Sequence, residues 1–186
     1  GATLVDAASA VFAQAELIVK VKEPQREEYR QLNPDQILFT FLHLAPDPEL
    51  AEVAGRLATQ AGAHHLELHQ GGRGILLGGV PGVPPAGVTI IGGGVVGTQA
   101  ARMALGLGAQ VRILDKSLVR LRELDALFHG RLVCEYATED ALEQALPQTD
   151  LLIGAVLVTG DSAPKLLSRE QLGALPKGGS IGGCGH

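Results

Sequence analysis

Gly92, Gly94 and Gly97 stand in the order Gly-x-Gly-x-x-Gly behind the β-branched run Val88-Thr89-Ile90-Ile91. About 20 residues on, Asp115 closes the next apolar run, Gln110-Val111-Arg112-Ile113-Leu114. Together these parts could hold an adenine dinucleotide. Glycines allow a tight turn and let the backbone approach a pyrophosphate. The helix behind them aims free N–H groups and a positive dipole end at the phosphates. A carboxylate at the second strand's end accepts hydrogen bonds from ribose hydroxyls and repels a 2′-phosphate, which favours NAD over NADP. Lys116 and Arg120 lie close by and soften that preference. Glycine pairs occur in many turns, so the glycines alone say little. The buried-type strand before them, and Ala100, Ala101, Ala104 and Leu105 at helical spacing after them, give the pattern its weight.

Lys22 and His43 form a second group. Each follows a short strand-like run, Leu17-Ile18-Val19 and Gln36-Ile37-Leu38-Phe39-Thr40. The carboxyl ends of neighbouring parallel strands converge on one crevice. A lysine there holds a carboxylate or polarises a carbonyl, and a histidine moves a proton near neutral pH. Strand alternation alone makes Lys20 as good a candidate as Lys22. A solvated strand end and a satisfied loop histidine are the plainer readings of the pair. His65 and His69 have the i, i+4 spacing of metal ligands, with His64 beside them, but no acidic third ligand is evident. Cys134 and Cys184 match no metal spacing. No metal is expected.

These groups need elements to place them. From residue 88 the order is strand, helix, strand, helix, strand, helix, strand. The helices are expected after the glycines with an end at Gly108, at 118–128 and at 139–146, and the later strands at 110–114, 131–136 and 151–158, with a last helix over 170–175 capped by Ser168. Such alternation implies right-handed crossovers and a parallel sheet. Upstream, Leu50, Val53, Ala54, Leu57, Ala58 and Ala61 make one face of an amphipathic helix that reaches towards residue 68. A Gly/Pro-rich stretch over 71–82 follows. The fold expected is α/β: a Rossmann-type doubly wound parallel sheet plus an incomplete second α/β domain. The divisions expected are 1–50 as that partial domain, 51–82 as helix and linker, and 83–186 as the nucleotide domain.

The chain has 186 residues, 46% of them hydrophobic, enough for one good domain and a partial second. Its formal charge of -5 and 3% aromatic content give no case for nucleic acid or an anionic membrane. There is no charged leader ahead of a hydrophobic core and no apolar run of about 18 residues. A cytoplasmic location with reduced thiols is expected.

Several strings resemble bacterial L-alanine dehydrogenase, and more distantly the nicotinamide nucleotide transhydrogenase alpha chain. They are Lys20-Val21-Lys22-Glu23-Pro24, the run from Ile37 through Phe41-Leu42-His43-Leu44 to Ala45, the Gly-rich stretch 71–97, residues 107–115, and residues 150–167. The resemblance covers essentially the whole chain. It implies an enzyme that interconverts L-alanine with pyruvate and ammonium, uses NAD as hydride carrier, and forms a homo-oligomer, usually a hexamer. By position it selects Lys22 over Lys20 as the substrate anchor and His43 as the acid/base residue. It assigns nucleotide contacts to Val95 and Val96 in the turn, and to Asp115, Arg120, Ala137, Val156 and Leu157. A nucleotide-binding chain of the transhydrogenase type, impaired in or without catalysis, is the alternative.

The resemblance also implies segments that this sequence does not carry. Family members begin with a stretch bearing an arginine that binds the substrate carboxylate. They insert a segment with a methionine-serine pair where Leu50 here runs into Ala51. They place a catalytic aspartate in the strand that here passes from Ile181 into Gly182-Gly183-Cys184, and they continue into a longer tail. Without these, the expectation is a chain that binds nucleotide better than it turns over alanine.

Overall fold

The computed structural model describes residues 4–21, 24–40, 48–156 and 166–183. It divides into two compact units, Gly1–Pro46 and Asp47–His186.

In the first unit, helix α1 (Ala8–Gln14) buries Phe12 and leads into strand β1 (Leu17–Lys20). The short helix α2 (Arg26–Tyr29) precedes strand β2 (Ile37–Thr40). The two strands pair in parallel, from Leu17 opposite Ile37 to Lys20 opposite Thr40. Strand β1 alternates as a half-buried strand does: Ile18 is buried and Val19 exposed. The Gln36 amide ties β2 to the end of α1, donating to the carbonyls of Phe12 and Ala15. Helix α2 starts with a reciprocal cap between Gln25 and Glu28.

The second unit opens with the long helix α3 (Pro48–His65). Then come β3 (Gly87–Ile91), α4 (Val95–Gly106), β4 (Gln110–Asp115), α5 (Leu118–Phe128) and β5 (Val133–Tyr136). Helix α6 (Glu139–Ala145), β6 (Leu151–Gly154), α7 (Arg169–Leu172) and β7 (Ser180–Gly183) complete it. The five strands lie in the order β5-β4-β3-β6-β7, every pairing parallel. The chain thus winds outward one way from β3 and then returns to build the other side from β6. This is the doubly wound sheet expected from the alternation of elements.

Both faces are covered. Ile91, Leu114 and Leu152 pack with Ala141, Leu142 and Leu146 of the α6 region on one face. Helix α4 meets the sheet with its small residues Ala100, Ala101 and Ala104, all fully buried. Helix α3 packs on α4. The contact is close because Gly55 offers no side chain: a Cβ there would meet the Val96 carbonyl oxygen. The Thr59 hydroxyl donates to the Ala100 carbonyl at 3.0 Å and Arg56 Nε to Gln99 Oε1 at 3.2 Å.

The Gly/Pro-rich stretch is anchored rather than loose. Arg73 forms an ion pair with Asp150, its backbone N–H donates to the Gly178 carbonyl, and Asp150 also accepts from the Gly87 N–H at 2.8 Å. These bonds close the end of the sheet at which β3 and β6 begin. Element bounds differ from the sequence reading by a few residues. Helix α3 ends at His65, with a 3-10 turn over Leu68–Gln70, and Gly173 stops α7 early. Within the described residues β6 ends at Gly154, although the Ala155 N–H still donates to the Ile91 carbonyl.

Candidate functional site

The glycine turn joins β3 to α4 at the carboxyl end of the sheet, at the point where β4 and β6 flank β3 on opposite sides. A crevice at such a reversal of strand order is where open α/β sheets bind ligands. Gly92 has φ +101°, a conformation that excludes ordinary side chains, and a Cβ there would press on the Ala155 carbonyl oxygen and the Val156 nitrogen. Gly97 faces inward, and a Cβ at this position would collide with the Gly92 carbonyl oxygen. Gly94 differs: nothing lies within 4 Å of its Cβ position. The turn is therefore packed below and open above.

Gly94 caps α4 without any side-chain hydrogen bond, and the first turn of α4 holds no acid. The other sheet helices are closed by hydroxyls, α5 by Ser117, α6 by Thr138 and α7 by Ser168. The first N–H groups of α4 are thus left for an anion, in line with the dipole. Val95 beside them is exposed and Val96 is buried.

Asp115 ends β4 beside this turn. Its Oδ2 accepts from the Gly93 N–H at 2.7 Å and its Oδ1 from the Ser117 N–H at 2.8 Å. An ionised carboxylate has about four lone-pair sites, so each oxygen can take a further hydroxyl donor. Arg120 stands in the first turn of α5. Its Nε donates to the Gly93 carbonyl at 2.7 Å, Nη2 to Thr98 Oγ1 at 2.9 Å, and Nη1 to Glu123 Oε2 at 2.6 Å. Ala137 follows β5, and its N–H donates to the Asp115 carbonyl at 3.0 Å. Val156 follows β6 next to Gly92. Six elements thus bring Gly92, Gly94, Val95, Val96, Gly97, Asp115, Arg120, Ala137 and Val156 to one end of one sheet. Leu157 lies outside the described residues.

Lys22 and His43 also lie outside the described residues. Their rival Lys20 is described, and its ammonium pairs with Glu28 on α2. That hydrogen bond, followed by the one from the Gln25 N–H, holds the Glu28 carboxyl below its ordinary range. The histidines near the end of α3 serve a local purpose. Glu67 sits between His64 Nδ1 at 3.5 Å and His69 Nε2 at 3.1 Å. Among the described residues no group of three or more His, Cys, Asp or Glu could hold a metal ion. Cys134 is half-buried, and burial followed by the charge of Asp125 pushes its thiol up. No described helix is long and apolar enough to cross a membrane.

Sequence reasoning missed the part played by Gly93 and Thr98. A threonine in a helix's first turn was the available signal, since its hydroxyl can bond back to the carbonyl four residues earlier. Here it does, at 2.7 Å to Gly94.

Two family models match this chain. "Alanine dehydrogenase/PNT, C-terminal domain" covers residues 58–181, and "Alanine dehydrogenase/PNT, N-terminal domain" covers residues 1–69. The chain belongs to the alanine dehydrogenase/PNT family. Curated relatives named alanine dehydrogenase agree. One from Halomonas elongata is 48% identical, with 99% of this chain and 60% of the relative covered. One from Mycobacterium tuberculosis is 46% identical over the same shares, and one from Methanococcus maripaludis 41% identical over 97% and 57%. Among solved structures, an L-alanine dehydrogenase superposes with TM-score 0.73 at 42% identity, covering 98% of this chain and 59% of that one. A transhydrogenase from Sinorhizobium meliloti, at 20% identity and TM-score 0.51 over 94% of this chain and 60% of that one, shares the fold. The chain spans about 60% of the length of the curated alanine dehydrogenases it matches.

Proposed function

We propose that this chain carries the nucleotide site and part of the substrate site of an NAD-dependent L-alanine dehydrogenase, which converts L-alanine and water reversibly to pyruvate and ammonium. The uncapped entrance of α4, open at Gly94 and flanked by the Asp115 carboxylate, is the observation that carries the reading. The residues present fit a dinucleotide. The free N–H groups of α4 bind the pyrophosphate, and the small Gly94 lets it approach. Asp115 accepts from the adenosine ribose hydroxyls and disfavours a 2′-phosphate. Ala137 and Val156 line the neighbouring strand ends. When bound, the nicotinamide supplies the hydride carrier. Lys22 anchors the substrate carboxylate, and His43 moves the proton on and off the carbinolamine oxygen.

The direct test measures alanine-dependent NADH formation at alkaline pH with wild-type protein and His43→Ala. Loss of turnover in the variant, with NADH binding kept, supports the assignment. Equal rates in both would overturn it.

A second reading is supported by the length of the matches. Alignments of 221 residues accommodate a chain of 186, so the relatives carry internal residues without a counterpart here. Substrate must be held at near-attack distance for hydride transfer, and missing internal segments weaken that hold more than they weaken nucleotide binding. This reading has the chain bind NADH with little or no turnover. Titration of NADH alongside the turnover assay separates the two.

A further inference from the structure

We propose that Arg120 is a positioning residue: its guanidinium, forked onto the Gly93 carbonyl and the Thr98 hydroxyl, sets the glycine turn in its binding geometry before any nucleotide arrives. The inference rests on the dinucleotide reading above and concerns how that site is built.

Gly93 is gripped on both sides. Its N–H is held by Asp115 at the end of β4, and its carbonyl by Arg120 Nε on α5. In a trans peptide the carbonyl and the following N–H point opposite ways. Holding the Gly93 oxygen towards α5 therefore turns the Gly94 N–H away from α5. Gly94 is exposed and has no side chain of its own to steady it. The orientation of its peptide has to be imposed from outside.

The geometry explains why this residue is an arginine. Nε and Nη2 share one edge of the planar guanidinium, and here they reach two acceptors, one in the turn and one on α4. Thr98 relays the second bond, because its hydroxyl donates to the Gly94 carbonyl. The third nitrogen is taken by Glu123, one turn further along α5. Each of the three nitrogens has a protein partner, and the Nε/Nη2 edge is the one that faces the turn. A lysine keeps the charge but loses the fork.

The test joins amide hydrogen exchange over residues 93–98 in nucleotide-free protein to NADH titration of wild type, Arg120→Gln, Arg120→Lys and Thr98→Val. Both Arg120 variants are expected to speed exchange in the turn without nucleotide and to weaken NADH binding roughly tenfold. Thr98→Val is expected to move both readouts the same way by less. Unchanged exchange in Arg120→Gln, with NADH binding weakened, would assign the arginine to ligand contact and overturn the proposal. So would Arg120→Lys restoring wild-type affinity, since charge alone would then suffice. If Arg120→Gln does not fold, Thr98→Val decides: wild-type exchange and affinity there overturn the clamp. Failure of wild-type protein to bind NADH would remove the dinucleotide reading, while the exchange arm still reports on the clamp.

Discussion

The Gly93 N–H donates to Asp115 Oδ2 at 2.7 Å, so the carboxylate that ends β4 also braces the turn that ends β3. The same side chain is the one proposed above to accept from the adenosine ribose. Asp115→Asn keeps the shape but gives up one acceptor oxygen. NADH affinity is expected to fall about tenfold or more, the range of a hydrogen bond to a charged group. Discrimination against NADPH is expected to narrow, because the repelling charge is gone. Parallel titrations with both nucleotides check this, and unchanged NADH affinity would count against the ribose assignment.

Gly97 sits against the Gly92 carbonyl with no room for a methyl group. Gly97→Ala is expected to destabilise the second unit by about 1–3 kcal/mol through overpacking and to abolish NADH binding by displacing α4 from the turn. Urea unfolding and NADH titration measure the two effects. Val95→Ala, at an exposed neighbour, should stay within about 0.5 kcal/mol of wild type.

Asp150 is 6% exposed and satisfies both Arg73 and the Gly87 N–H. Breaking such a pair from one side leaves buried polar groups unpaired. Arg73 is partly solvated, which reduces the cost. Asp150→Ala is expected to lose about 2 kcal/mol in urea unfolding, and NADH affinity of the folded protein should remain as in wild type.

The first unit should lose stability in acid through Glu28. Its carboxyl is held below the ordinary value of 4.5 by Lys20 and then by the Gln25 N–H. A depressed folded value means that the stabilisation is fully present above the unfolded value and is lost as pH falls through the folded one. Hydrogen exchange over residues 8–20, followed from pH 6 downward through the glutamate range of about 4.3, should show wild-type protection falling towards that of Glu28→Gln. Parallel curves for the two proteins would show that the pair contributes nothing.

The sequence announces some of this site clearly and hides the rest. The β3-α4-β4 unit is legible because its signals are local: a β-branched run, spaced glycines, small alanines on one helix face, and an acid at the next strand's end. The parallel, doubly wound sheet follows from alternation and handedness, whereas the strand order is seen only in the fold. The clamp is not legible, because an arginine in a helix's first turn looks like any solvated charge until α5 is folded against the turn. Arg73 and Asp150 are 77 residues apart, and no periodicity links them. Composition alone made residues 71–82 read as a Gly/Pro-rich linker, and it gave no sign that Arg73 is pinned to the sheet. Lys20 and Lys22 could not be separated by strand alternation. The Glu28 partner now accounts for Lys20.

The bond between Arg73 and Asp150 lies where β6 begins, whereas Val156 and the glycine elbow lie where it finishes. Architecture and the proposed nucleotide site therefore occupy opposite poles of the same strands. Exposed residues at its mouth, such as Val95, can be exchanged while the far pole keeps the protein folded; the packed glycines Gly92 and Gly97 cannot.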